Sequence, residues 1–294
     1  MKYLKHLVAL LLLLASPTLY AETHALLISV CPAWKDGGDP ESTKLMRQSC
    51  QHTVNLMQET LSHHLRIAKT RQTVLLDEKA TYANVVSTIT SLKQRLQPKD
   101  RLLVYVNAHG GSLHGHYASV DIADEGLAFW TETEPNLATA ADDKKFMLIK
   151  QFRDTLLDGL TDQEVLVIFD SCESGAAYND FRYSPYENDK LRVAVVFSSQ
   201  ADQFANFTYD MKHPLFTQKL GHALEVSAYR DLGFAMELAA TATHRTQRAR
   251  CAVPEQRKVW ADNGIDLHQI CLQQPYVYDP EGLLQDWIIQ PDES

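Results

Sequence analysis

The chain has 294 residues, of which 45% are hydrophobic, and its formal net charge is −9. That length suits one large domain, or one domain with an extension, and the acidic balance argues against a nucleic-acid partner. No internal repeat, low-complexity block or clear linker divides the sequence.

The amino terminus carries Lys2 and Lys5, then LVALLLLLA (7–15), then SPTLYA (16–21) with Ala21 at a cleavage position. This is the layout of a secretory signal, and its apolar run is short for a membrane span. Residues 1–21 are therefore expected to be removed, leaving a periplasmic or secreted protein that begins near Glu22. No later segment approaches the roughly 18 apolar residues that a spanning helix needs, so no membrane attachment is expected after signal removal.

HALLISV (24–30) reads as a short buried strand, and 44–65 as a helix with Leu45, Met46, Val54, Leu56, Met57 and Leu61 at mostly helical spacing. QTVLLDEKA (72–80) is a strand leaving through a turn. The helix after it runs to Pro98, with Thr81 as N-cap. RLLVYVNAHGG (101–111) is a third strand ending in a His-Gly-Gly turn, and HGHYASVD (114–121) a short hairpin strand. DDKKFMLIKQFRDTLLDG (142–159) has the pattern of an amphipathic helix closing on Gly159. EVLVIFDSC (164–172) is the fourth core strand, a polar loop spans 176–190, and RVAVVFSSQ (192–200) is the fifth strand. Helices over 214–226 and 231–250 follow, then a less regular tail. Strand and helix alternating in this way imply an α/β fold, a mostly parallel sheet covered by helices on both faces. We expect one domain over 22–250 and a C-terminal extension over 251–294, held by its own disulfide.

Five cysteines occur: Cys31, Cys50, Cys172, Cys251 and Cys271. In an oxidising compartment the economical arrangement is two disulfides and one free thiol. Of the three pairings that four cysteines allow, neighbours in sequence favour Cys31–Cys50 and Cys251–Cys271. Cys172 is then the thiol left over.

His109 and Cys172 each follow an apolar core strand. In a parallel sheet the two strands point the same way, so their C-terminal ends share an edge, where α/β proteins carry their chemistry. An imidazole beside a thiol can raise its nucleophilicity and later protonate a leaving amine. Gly110 leaves space beside a reacting carbonyl, and its N–H together with that of Cys172 could face a developing oxyanion.

VYVNAHGG (104–111) followed by DSCESG (170–175) resembles the His-Gly and Asp-x-Cys-x-Ser-Gly signatures of the caspase-like cysteine peptidases, metacaspases and bacterial caspase homologues above all. HGHYASVD, FSSQADQ (197–203) and HPLFTQKL (213–220) resemble further elements of that family, in the family's order, over 24 to about 227. The resemblance implies a caspase-like three-layer sandwich and an endopeptidase acting on peptide or protein substrates through His109 and Cys172. It also implies that Asp170, two residues before the nucleophile, selects Arg or Lys before the cut bond, and that Ser198 and Ser199 line the substrate cleft. A carboxylate at the floor of a pocket suits a guanidinium or ammonium. The sequence departs from metacaspases in RQSCQHT (47–53), where Thr53 stands in place of a second pocket acid. Some relatives are cut after the nucleophile strand, and Arg182, Lys190 and Arg192 are candidate sites here.

No cofactor or metal is expected. Calcium activates some relatives, but Asp180, Glu187 and Asp189 read as acids of a solvated loop and make no clear calcium site. Although His109, His114 and His116 include an H-x-H pair, alternating histidines on a partly exposed strand account for it. A cysteine-dependent α/β-hydrolase would need glycines two residues either side of the nucleophile and its histidine after it, whereas this chain has Asp170 and Ser174 at those positions and its best-placed histidine, His109, before it. The alternative of another class is a catalytically silent caspase fold acting as a binding module.

Overall fold

The computed structural model describes residues 21–31, 40–112, 125–132, 146–182 and 190–292. Most of the expected signal segment, the hairpin strand at 114–121, His114, His116, Glu187 and Asp189 lie outside the described residues.

Nine strands are described: β1 (Thr23–Ser29), β2 (Gln72–Leu76), β3 (Arg101–Asn107), β4 (His109–Ser112), β5 (Glu125–Ala128), β6 (Phe146–Leu148), β7 (Glu164–Asp170), β8 (Arg192–Phe197) and β9 (Tyr276–Tyr278). The helices are α1 (Pro40–His64), α2 (Tyr82–Lys93), α3 (Ile149–Leu157), α4 (Tyr178–Arg182), α5 (Leu215–Val226), α6 (Leu232–Cys251), α7 (Pro254–Asp262) and α8 (Leu267–Cys271).

The main sheet has the order β2-β1-β3-β7-β8-β9. Its first five strands are parallel, and β9 closes one edge antiparallel to β8. Alternation along each strand sends side chains to opposite faces. Leu26, Ile28, Val104, Val165, Val167 and Phe169 point into one core, which α2 seals with Val85, Ile89 and Leu92 and α3 with Phe152 and Leu156. Ala25, Leu27, Leu103, Tyr105, Leu166 and Ile168 point into the other, covered by Met57 and Leu61 of α1, Phe216 and Leu220 of α5, and Ala235 and Met236 of α6. Both faces of the sheet are buried, which is why these strands read as unbroken apolar runs. The expected three-layer α/β architecture is therefore the one observed.

Local signals set several element ends. The Thr81 hydroxyl accepts from the Asn84 N–H at 3.3 Å and starts α2, and Asp231 accepts from the Phe234 N–H at 2.9 Å to start α6. Three expectations are corrected. The His-Gly-Gly expected as a turn is itself a strand, β4, because it pairs antiparallel with β5. α2 ends at Lys93, short of Pro98. The described part of the helix expected over 142–159 is a strand, Phe146–Leu148, followed by a shorter helix, because 146–148 pair antiparallel with β5. β4, β5 and β6 form a small second sheet beginning at His109.

The cysteines pair as Cys31–Cys50 and Cys251–Cys271, and Cys172 is free. The segment after Cys251 is joined to the main body by the second disulfide and by β9, which pairs Tyr276, Val277 and Tyr278 with Phe197, Val196 and Val195. No helix among the described residues is long and apolar enough to cross a membrane.

Candidate functional site

Register brings three sequence-distant residues to one level. Ser29 of β1 is paired with Asn107 of β3, and Asn107 with Asp170 of β7. Cys31, His109 and Cys172 each stand two residues beyond that last paired row, just past the ends of three adjoining strands. All three line one cleft of about 220 Å³, together with Asn107, Asp170 and Ala205. The lining also includes the apolar side chains of Leu45 and Met46 of α1, Phe207 and Met211.

The two motifs touch through their backbones. A Cβ added at Gly110 would overlap the Cys172 carbonyl oxygen and lie 3.1 Å from the Ser171 Cβ and Oγ. No side chain fits there, so glycine is what lets the histidine strand lie against the cysteine turn. Directly after Cys172, Glu173 adopts a left-handed backbone with φ of 56°. That conformation is uncommon for a residue other than glycine, asparagine or aspartate, and it turns the chain sharply behind the cysteine. Gly175 continues the turn, where a Cβ would come within 2.9 Å of the Gln200 backbone.

His109 is exposed, and its Nε2 lies 2.7 Å from the Cys31 carbonyl oxygen. A carbonyl only accepts, so this bond requires the proton on Nε2 and leaves Nδ1 as the basic nitrogen. Burial pushes the Cys172 thiol up to about 11, opposed by hydrogen bonding with the Ala205 backbone and helped by the charges of Glu173 and Asp170. A thiol raised in this way is neutral near pH 7, and turning it into a thiolate needs a base.

Asp170 is 2% exposed and sits on the cleft wall. Its Oδ2 accepts from the Thr217 N–H at 3.1 Å and the Thr217 hydroxyl at 2.5 Å. Since that hydroxyl proton goes to Asp170, the Tyr105 hydroxyl, 2.6 Å from Thr217 Oγ1, donates in turn. Asp170 Oδ1 is buried without a hydrogen-bond partner among the described residues. Burial raises the carboxyl pKa to about 6 against the lowering effect of Thr217 and the nearby Ser198 hydroxyl. The Ser198 hydroxyl has its hydrogen bond at the Ser171 carbonyl, 3.4 Å away, and Oδ1 has no partner among the described residues. A buried acceptor left unpaired is costly, and a cationic side chain entering the cleft is the kind of group that would satisfy it.

Ser198 and Ser199 are fully buried behind the cysteine turn and are not on the cleft wall. Ser199 Oγ donates to the Ser171 carbonyl at 3.1 Å, and the Ser199 N–H donates to Ser174 Oγ at 3.2 Å. They brace the turn that carries Cys172. Thr53 is also buried and off the wall, its hydroxyl spent on the Ser49 carbonyl at 2.8 Å. Asp170 is thus the one carboxylate among the described residues that line this cleft. No cluster of His, Cys, Asp or Glu suited to a metal ion occurs among the described residues.

Sequence reasoning missed the contacts of Thr217, Ala205 and the Cys31 carbonyl. HPLFTQKL pointed to a helix start but not to the bond between that start and Asp170. A main-chain carbonyl leaves no signature at all.

A caspase-domain family model matches residues 31–258. No curated protein matches the chain. Among solved structures, the Geobacter sulfurreducens protein GSU0716 superposes with a TM-score of 0.54 at 15% identity, covering 92% of this chain and 99% of its own. Caspase-1 from Spodoptera frugiperda gives 0.46 at 14% identity, covering 93% of this chain and 92% of its own, too shallow a fit to add to the assignment. With the caspase-domain match covering most of its length, the chain belongs to the family of caspase-like peptidases.

Proposed function

We propose that the protein is an exported cysteine endopeptidase in which Cys172 is the nucleophile, His109 the base, and Asp170 the group that selects Arg or Lys before the cut bond. The observation that carries this reading is the shared level of His109 and Cys172 on one cleft, with an oxygen of a buried carboxylate in its wall that has no partner among the described residues. Export is supported by the signal-like first 21 residues and by the two disulfides.

In this mechanism the substrate lies across the strand ends with its basic side chain against Asp170. Nδ1 of His109 takes the Cys172 thiol proton as sulfur attacks the carbonyl carbon. Negative charge on the carbonyl oxygen is met by the N–H groups of Gly110 and Cys172. The protonated imidazole then gives its proton to the departing amine. Water, activated by the same nitrogen, hydrolyses the thioester and restores the thiol. The high pKa of Cys172 fits proton removal concerted with attack better than a standing thiolate. Ser198 and Ser199 serve this reaction by holding the turn.

A positional scan of short fluorogenic peptides, run with reductant and with or without calcium, tests the reading. We expect cleavage after Arg and Lys only. Cleavage confined to other residues would remove the role given to Asp170 and leave that of Cys172 standing. A folded protein that cuts nothing and takes no thiol-directed peptide label would instead favour the binding-module reading.

A further inference from the structure

We propose that Asp77 and the Cys31–Cys50 disulfide are positioning groups for His109, acting through the peptide unit of Cys31. The proposal rests on the reading of His109 as the base. Cys31 is fixed from three sides by three different elements. Its carbonyl receives His109 Nε2 at 2.7 Å. The Cys31 N–H donates to Asp77 Oδ1 at 3.2 Å, reaching the turn that follows β2. Its sulfur is bonded to Cys50 in the middle of α1.

The partners of this clamp are themselves buried. Asp77 is 4% exposed and holds a left-handed backbone with φ of 43°. Cys50 is fully buried, and the Ser29 hydroxyl lies 2.9 Å from its sulfur. The Asn107 amide donates to Ser29 Oγ at 2.9 Å and faces both sulfurs, at 3.9 and 3.7 Å. A buried carboxylate whose hydrogen bond among the described residues goes to one main-chain N–H, at a non-glycine position with positive φ, is an expensive local arrangement. What it fixes is the direction of one carbonyl, and that carbonyl is the acceptor for an otherwise exposed imidazole.

The chemical consequence is tautomer control. Held to Cys31 O, the neutral ring keeps its proton on Nε2 and turns Nδ1 into the base. Released, it is free to exchange tautomers and to rotate, as exposed histidines do. A cross-link that served only as a staple would raise stability without affecting which nitrogen carries the proton.

Two readouts separate the possibilities on the full mature chain: ¹⁵N-histidine NMR, which reports the tautomer of His109, and cleavage of an arginine peptide. The variants are Asp77→Ala, the pair Cys31→Ser with Cys50→Ser, and, as control, the pair Cys251→Ser with Cys271→Ser. Wild type and control are expected to hold the Nε2–H form. Asp77→Ala and the first cysteine pair should shift His109 to a mixture of tautomers and lower kcat by about tenfold or more, with KM changed less than twofold. Asp77→Asn, which keeps an acceptor for the Cys31 N–H, should restore both readouts. Asp77→Ala leaves both disulfides intact and decides the matter if the cysteine pair fails to fold. Folded clamp variants with wild-type tautomer and wild-type kcat would overturn the proposal. A wild type that cuts no peptide, while the clamp variants still shift the tautomer, would refute the peptidase reading and leave the clamp standing.

Discussion

Substituting Asn for Asp170 removes a carboxylate whose pKa burial holds at about 6, up from 3.8, while keeping its shape and an acceptor for Thr217. The folded-state value is the higher one, so protonation favours the fold. The contribution of Asp170 to stability is present in full below the unfolded pKa and is lost as pH rises through 6. A shift of that size corresponds to about 3 kcal/mol, so at pH 8 the buried anion destabilises the empty site by roughly that much. Asp170→Asn should therefore gain on wild type between pH 4 and pH 8, by up to about 3 kcal/mol, less any weakening of the Thr217 bonds. Binding of a basic side chain runs the other way, because removing one partner of a buried ion pair costs about 3–5 kcal/mol, or at least a hundredfold in kcat/KM. The assay pairs urea melts at pH 4 and pH 8, in a Cys172→Ala background, with cleavage of matched peptides bearing arginine or norleucine before the scissile bond. The expected variant is more stable at pH 8 and more than a hundredfold slower on the arginine peptide, with the norleucine peptide little changed. A variant within threefold of wild type on arginine, whose stability relative to wild type is no greater at pH 8 than at pH 4, would refute both halves of the reasoning.

Other outcomes follow from the same geometry. Because burial pushes the Cys172 thiol up to about 11, alkylation of the free protein by iodoacetamide should keep accelerating with pH beyond 9; a plateau between pH 6 and 8 would reveal a standing thiolate–imidazolium pair instead. Gly110→Ala must push the His109 strand away from the Cys172 turn, at about 1–3 kcal/mol of overpacking, so kcat should fall at least a hundredfold while thermal melting moves only a few degrees. If the chain processes itself, purified protein should yield two fragments cut after Arg182 or Lys190, and Cys172→Ala should remain whole. Arg192 is a poorer site, since it lies within β8 and its guanidinium holds Glu164 at 3.0 Å and Asp286 at 2.6 Å. An intact, fully active wild type would show that the loop is not cut.

The parts of this structure that were legible in the sequence are those whose cause is local. Both faces of the sheet are buried, so the strands announced themselves as apolar runs, and Thr81 marked the start of α2 because its cap bond spans three residues. His109, Cys172 and Gly110 could be singled out because each directly follows such a run. Phe146–Leu148 was misread as helix because three residues carry no period of their own, and only pairing with β5 makes them a strand. Tyr276–Tyr278 escaped notice for the same reason. Ser198 and Ser199, polar residues after a strand, suggested an exposed cleft wall, whereas their hydroxyls face the Ser171 carbonyl behind the turn. Asp77 and Thr217 act on residues 46 and 47 positions away, contacts that only the assembled sheet creates.

The central claim, that Cys172 is a nucleophile driven by His109 beside a pocket for a basic side chain, is tested most directly by covalent labelling. A peptide acyloxymethyl ketone with arginine next to the reactive carbon is incubated with wild type, Cys172→Ala and His109→Ala, and the adduct is located by mass spectrometry. We expect one adduct per chain at Cys172 in wild type, none in Cys172→Ala, and labelling slowed at least a hundredfold in His109→Ala. Folded wild-type protein that takes no label, or takes it equally fast without His109, would contradict the account.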